Sequence, residues 1–148
     1  MKFIFAFFLL LSGSLISSER ESFARSKEES LFFLQLIDYE AYDEAWEESS
    51  PIFKELYPKR EWIRSLDKER LPYGKPVARK MTNQLRNVNP RYFPKGTYMM
   101  FSFRTRFEKG IEIDELLNLK QDNQNNWKVV TYYFQKGWNP GDGWNPNE

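Results

Sequence analysis

The sequence predicts an α+β fold, in which N-terminal helices pack on one face of a curved, four-stranded antiparallel sheet with a cone-like shape. Three observations carry this prediction. Before residue 74, apolar residues recur at spacings of three and four, the period of an amphipathic helix. After Gly74 the period changes to two, as in half-buried strands. A loop at residues 87–95 and two turn sequences divide this second half into four consecutive strands, and helices followed by a run of strands are typical of the α+β class.

The helical half begins with an apolar stripe over residues 31–46, formed by Leu31, Leu34, Ile37, Ala41 and Ala45. We expect this helix to start within residues 19–30, to weaken near residues 38–40 and then to continue to about residue 46. Ser50 followed by Pro51 is a helix-start signal, with the serine as the cap, and it predicts a short helix over residues 51–56. Pro58 opens a third helix that runs to about residue 70, and its buried side carries Trp62, Ile63 and Leu66.

Four strands are predicted in the second half. The first places on one face the residues Val77, Arg79, Met81 and Leu85, and the second covers residues 97–107. Residues 108–110 form a three-residue hairpin turn in which Gly110 suits the left-handed conformation. The apolar face of the third strand consists of Ile111, Ile113, Leu117 and Leu119. A second turn at residues 122–126 leads to the fourth strand, at residues 127–135.

The chain of 148 residues contains no histidine and no cysteine. This composition excludes Ser-His-Asp and Cys-His catalysis, disulfides and the usual zinc ligand sets, and we predict neither a cofactor nor a metal. The acidic run of Asp43, Glu44, Glu47 and Glu48 is interpreted as a solvated helix face rather than a metal or docking patch. A formal net charge of +1, without a binding motif, argues against nucleic acid as a partner.

Residues 1–18 have the pattern of a secretory signal peptide. Lys2 precedes an apolar run at residues 3–11, and small polar residues follow it. The run is shorter than the roughly 20 residues that a membrane-spanning helix needs. We therefore expect cleavage, no stable membrane anchor, and an exported protein that is periplasmic or secreted. A single α+β domain would then cover residues 19–136.

Residues 137–148 are predicted to be a flexible tail, in which the sequence Gly-Trp-Asn-Pro occurs twice. Its tryptophans, Trp138 and Trp144, are candidate ligand-binding residues, as aromatic platforms for a sugar or for the surface of a partner. The alternative, which we favour, is a frayed terminus whose first tryptophan packs against the sheet.

Short sequence pieces spread over most of the chain form a pattern of their own. They are Leu36-Ile37-Asp38, Tyr42, Trp46, Phe53-Lys54, Trp62, Arg70-x-Pro72-x-Gly74, Val77-x-Arg79, Phe103-x-Thr105-x-Phe107, Glu115 and Trp127-Lys128-Val129. With them, residues 33–134 resemble the bacterial proteins grouped as domain of unknown function 4019. Two positions depart from that pattern: Glu40, where glycine is common, and Asn125-Asn126, where an Asp-Gly turn is usual. The resemblance implies a small exported domain with the cone shape of nuclear-transport-factor-2-like proteins, and it implies no activity. For the predicted fold, a cystatin-like arrangement is the alternative shape.

Glu115 is the strongest candidate for chemistry, because it lies on a strand face that otherwise carries apolar residues. A buried carboxylate without partners is costly, so it needs partners or a raised pKa. Arg79 interrupts an apolar face in the same way. The three-residue hairpin would place Glu115 opposite Phe103, with Thr105 on the diagonal.

Counting residues in the same way across the second turn would place Thr131 opposite Glu115 and Tyr133 near it. These residues form the candidate site in one of two ways. In the first, Arg79 and Glu115 form a buried pair that fixes the strand register, and the hydroxyl groups satisfy its remaining hydrogen bonds. In the second, Arg79 holds an anionic ligand in a pocket and Glu115 is a general acid or base. We favour the structural pair, because satisfied pairs are much commoner than active sites.

Asp38 is a further catalytic candidate, since its position four residues before Tyr42 places it on the same edge of the helix. Its structural alternative, a hydrogen bond to an indole or to the end of a broken helix, is favoured here.

Together these observations predict an exported, non-enzymatic binding or accessory module of the bacterial cell envelope. One alternative is an isomerase or hydratase-like enzyme that uses Glu115 with Tyr133. Another is a glycan-binding protein that uses the tail tryptophans. The identity of a partner stays open, with a homodimer and another envelope protein as the two kinds considered.

Overall fold

The computed structural model describes the backbone of residues 2–136 and the side chains of residues 15–136. The expectations for the tail, including Trp138 and Trp144, lie outside the described residues. Four helices come first: α1 (Lys2–Asp38), α2 (Tyr42–Glu48), α3 (Pro51–Leu56) and α4 (Lys59–Glu69). A single 3-10 turn follows at Leu71–Tyr73. The strands are β1 (Pro76–Val88), β2 (Thr97–Phe107), β3 (Glu112–Gln121) and β4 (Trp127–Lys136). They form one open antiparallel sheet in the order β1-β2-β3-β4, which confirms the predicted α+β architecture.

The helical half differs from the prediction in two places. The first helix begins at Lys2 rather than within residues 19–30. It also ends at Asp38, so the predicted single helix to residue 46 is two helices. The break has a local cause, because Glu40 adopts a left-handed conformation with φ of 59°. The backbone amide of Ala41 then donates a hydrogen bond to the carbonyl of Leu36, and the amide of Glu40 donates to the carbonyl of Ile37. This pair of bonds is a Schellman-type helix end.

Helix α3 has the bounds that the sequence predicted for the short helix over residues 51–56. The hydroxyl of Ser50 accepts a hydrogen bond from the amide of Phe53 at 3.1 Å, and Pro51 occupies the first helical position. This cap begins α3 at the residue that the sequence indicated.

The core lies between α1 and the sheet. Phe33, Leu34 and Ile37 of α1 are at most 2% exposed, whereas Leu31, which the stripe predicted to be inside, is 39% exposed. The rings of Phe33 and Tyr132 pack at 5.5 Å, edge to face. The remaining core residues come from every other helix and from β2, β3 and β4; they include Ala45, Phe53, Leu66, Phe101, Leu117, Leu119 and Val129.

The register between β2 and β3 is the one predicted. Gly110 has φ of 74° in the turn, and Phe103 pairs with Glu115. The other two pairings each contain an irregularity. In β1 the register shifts between Met81 and Asn83, so Leu85 pairs with Met100 instead of sharing a face with Met81. The prediction for Leu85 is therefore wrong, because a β-bulge reverses the side on which each later residue of the strand lies.

The β3–β4 pairing shifts in the same manner. Leu119 of β3 pairs with Val129 of β4, whereas the neighbouring Asn118 pairs with Thr131. Val130 of β4 therefore has no partner and is the extra residue of the bulge. This bulge decides which side chains of β4 reach Glu115.

Candidate functional site

Four charged side chains meet under the helices and form a ring of alternating charge. Asp38 is the last residue of α1, Arg70 directly follows α4, Arg79 lies on β1 and Glu115 lies on β3. Their side chains are 17%, 4%, 16% and 0% exposed, respectively. We refer to these four residues as the charge ring. It joins the end of the longest helix to the middle of the sheet.

Each arginine in the charge ring contacts both carboxylates. Nη2 of Arg70 lies 2.6 Å from Oδ1 of Asp38 and 3.2 Å from Oε2 of Glu115. Nη1 of Arg79 lies 2.7 Å from Oδ2 of Asp38, and its Nη2 lies 2.9 Å from Oε1 of Glu115. The ring carries two positive and two negative charges, so its formal sum is zero.

Two hydroxyl groups complete the environment of Glu115. Thr105 donates to Oε1 at 2.5 Å and Tyr132 donates to Oε2 at 2.6 Å. Arg79 also donates to Oε1, and Arg70 to Oε2. Each carboxylate oxygen therefore accepts hydrogen bonds from one arginine, through two of its N–H groups, and from one hydroxyl group, although the side chain has no contact with solvent. Such satisfaction is what a buried carboxylate requires.

The electrostatics follow from these contacts. Burial opposes the charge on Glu115, but Arg70 and Arg79 outweigh it and hold the pKa of this carboxyl below its ordinary value. Burial likewise opposes the two guanidinium charges, yet their neighbours raise the pKa of both arginines. Burial and the Glu115 carboxylate together raise the pKa of Tyr132 well above its ordinary value. Glu115 and the two arginines are thus kept charged, with Tyr132 as a neutral donor.

The structure brings together four of the residues singled out by the sequence: Glu115, Arg79, Thr105 and Asp38. It does not bring Thr131 and Tyr133 to them. Thr131 is buried, but it pairs with Asn118, and its hydroxyl group accepts a hydrogen bond from the side-chain amide of Asn118 at 2.8 Å. Tyr133 pairs with Leu116 and is 48% exposed.

The expected placement of Thr131 and Tyr133 beside Glu115 is therefore wrong. The physical reason is the bulge at Val130, which moves the residues after it by one position. Tyr132, rather than Tyr133, then lies on the helix-facing side of the sheet.

Sequence reasoning missed Arg70 and Tyr132. A signal for Arg70 was present, because the spacing of four that places Trp62 and Leu66 on the buried side of α4 continues to residue 70. An arginine at the end of a helix is usually read as a solvated residue that favours the negative end of the helix dipole. No comparable signal existed for Tyr132, since strand alternation alone cannot reveal a bulge.

The comparison with protein families bears on the same residues. A family model described as "Protein of unknown function (DUF4019)" matches residues 30–132. The chain belongs to the DUF4019 family. The matched range contains the whole charge ring together with Thr105 and Tyr132. Comparisons of this DUF4019 protein with curated proteins and with solved structures gave no match.

The charge ring offers little to an incoming ligand or metal. Both carboxylates are already bound by guanidinium groups, and among the described residues no group of three or more acidic side chains is placed to hold a metal ion. The acidic run of α2 is partly paired, since Lys59 lies 2.9 Å from Asp43 and 3.0 Å from Glu47. In the described part of the chain, no helix combines the length and the apolar character needed to cross a membrane.

Proposed function

We propose that this DUF4019 protein is an exported, non-enzymatic binding or accessory module of the bacterial cell envelope. One observation carries the non-enzymatic part: both oxygens of the buried Glu115 carboxylate are occupied by donors from the protein itself. A general base needs a free lone pair within hydrogen-bond reach of the substrate proton. Here that lone pair would have to be taken from an arginine or a hydroxyl group.

The export part rests on the sequence of residues 1–18, in which a lysine, an apolar run and small polar residues follow one another as in a signal peptide. The absence of cysteine from the chain is compatible with an oxidising compartment but does not require one.

The alternative of an isomerase or hydratase-like enzyme requires Glu115 and Tyr133 in one pocket. The observed register argues against it, because Tyr133 pairs with Leu116 and is half exposed while Glu115 is fully buried. The nearest phenol to Glu115 is that of Tyr132, and burial beside a carboxylate raises its pKa, which makes it a poor proton donor in catalysis.

Cell fractionation tests the export. The full chain with a C-terminal tag is produced in a bacterium, and the periplasmic, membrane and cytoplasmic fractions are analysed by intact mass. We expect a periplasmic or secreted protein whose N-terminus lies near Ser18 or Glu19. A variant without residues 3–11 is the matched control and should stay in the cytoplasm. An unprocessed chain that remains in the membrane or cytoplasmic fraction would overturn the proposal.

A further inference from the structure

A cleft of about 520 Å³ lies at the other end of the sheet from the charge ring, and the two share no residue. One wall is the segment of α1 around Phe23, and the opposite wall is formed by β1, β2 and the β3–β4 turn. Phe23, Met99 and Trp127 supply its apolar surface, and Gln84, Arg86 and Gln121 supply polar groups. Volumes of roughly 300–1,000 Å³ with mixed linings of this kind are typical of small-molecule sites.

The polar side of the cleft depends on the bulge in β1. Beyond Met81, Gln84 pairs with Phe101 and Arg86 pairs with Met99, so both polar residues share the face of these core residues. Leu85, between them, pairs with Met100 and also borders the cleft. The bulge thus brings an amide and a guanidinium group onto the core-facing side of β1.

Trp127 independently indicates that the cleft lacks a hydrogen-bond acceptor. Its side chain lines the cleft and is 4% exposed, yet its indole Nε1 is a buried donor without an acceptor. A buried polar group without a partner is unfavourable, and native proteins contain few of them. An acceptor on a bound molecule would satisfy this donor.

The charges of the lining favour a neutral molecule over an ion. Arg25 is paired with Glu21 at 2.8 Å, and the lining also carries one acid, Glu19, and one base, Arg86, so the formal charges of these four residues sum to zero. The uncharged polar residues of the lining are three amides and three hydroxyls, groups that both donate and accept hydrogen bonds, as the hydroxyl groups of a sugar do.

We propose that this cleft binds a neutral polyhydroxylated ligand, of the class of a small oligosaccharide. Its ring would lie against Phe23, an oxygen would accept from Nε1 of Trp127, and its hydroxyl groups would bond Gln84 and Gln121. The inference rests on the binding role proposed above and names the chemical class of the ligand.

The test is a titration of the ¹⁵N-labelled full chain, in the processed form that the cells deliver, with cellobiose and with chitobiose. The indole signal of Trp127 is assigned by its loss in Trp127→Phe. We expect at least one of the two sugars to shift this signal in a saturable way. Gln84→Leu combined with Gln121→Leu should weaken binding about tenfold, the effect of losing about 1.4 kcal/mol of hydrogen bonding.

Two controls locate the binding. Gln135→Leu removes an amide of β4 that does not line the cleft and should leave the affinity unchanged. Trp138→Phe with Trp144→Phe should do so as well. The inference is overturned if neither sugar shifts the Trp127 signal, if the double glutamine variant binds as well as the wild type, or if a galacturonic acid disaccharide binds more tightly than both neutral sugars. Because fractionation is measured separately, an exported protein that binds no sugar refutes this inference and leaves the export proposal standing.

Discussion

Replacing Glu115 with alanine would leave the charge ring unbalanced. Arg70 and Arg79 would then share only Asp38, so a net positive charge would remain in a site where Arg70 is 4% exposed. Thr105 and Tyr132 would also lose the acceptor that each of them reaches at 2.6 Å or less. Breaking a buried ion pair by removing one partner costs about 3–5 kcal/mol. We expect a loss of this size in the free energy of unfolding.

Urea denaturation followed by tryptophan fluorescence measures the loss, since Trp62 and Trp127 are both buried. With a urea dependence of about 1–3 kcal/mol per molar, the midpoint should fall by roughly 2 M. Glu112→Ala is the matched control, because Glu112 lies on the same strand and is exposed. Its effect should stay within about 0.5 kcal/mol.

A double-mutant cycle separates the pair from the single residues. The variant with both Arg79→Leu and Glu115→Leu leaves Asp38 and Arg70 as a balanced pair. It should therefore lose less stability than the sum of the two single variants, by about 1 kcal/mol or more. If Glu115→Ala costs less than about 1 kcal/mol, the structural interpretation of Glu115 is refuted and the carboxylate becomes a catalytic candidate again.

Three further predictions concern pH and the backbone. Because the pKa of Glu115 is lower in the folded protein than its ordinary value of 4.5, its contribution to stability is complete above that pH and is lost as the pH falls through the folded pKa. Urea midpoints at several pH values should show this loss below about pH 4.5, and equal slopes for the wild type and Glu115→Gln would contradict it. Glu40→Gly should raise the thermal midpoint, by the equivalent of about 0.5–1 kcal/mol, because glycine adopts the φ of 59° without strain; a lower midpoint would refute this reasoning. Gly110→Ala should lower the free energy of unfolding by about 1 kcal/mol, measured by calorimetry. The cost comes from the φ of 74° alone, since an added Cβ meets no atom within 4 Å. Gly110→Asn should cost less, because asparagine adopts this conformation more readily.

The parts of the fold that could be predicted are those fixed by local chemistry. Ser50 and Pro51 set the start of α3, and Gly110 sets the turn between β2 and β3. From that turn, simple counting gives the pairing of Phe103 with Glu115. The contact between Arg79 and Glu115 follows as well, because two charged residues on apolar faces must find each other or be left without partners.

The parts that could not be predicted depend on tertiary structure. A bulge leaves no mark in an alternating sequence, so the choice between Tyr132 and Tyr133 was open until the register was known. The left-handed residue at Glu40 is equally hidden, because the fold imposes it on a side chain that does not prefer it. Arg70 joins the charge ring only after α4 has docked against the sheet.

The charge ring also has a consequence for the time course of folding. Together with Thr105 and Tyr132, it takes one group from the end of α1, one from the end of α4 and one from each of the four strands. Its contacts join residues 32, 45 and 62 positions apart, from Arg70 to Asp38, Glu115 and Tyr132. Contacts across such long loops are closed after local structure has formed. Interactions that form after the rate-limiting step slow unfolding rather than speed folding. We therefore expect the charge ring to form late in folding. It would then slow unfolding, and so lengthen the lifetime of the native state, more than it speeds folding.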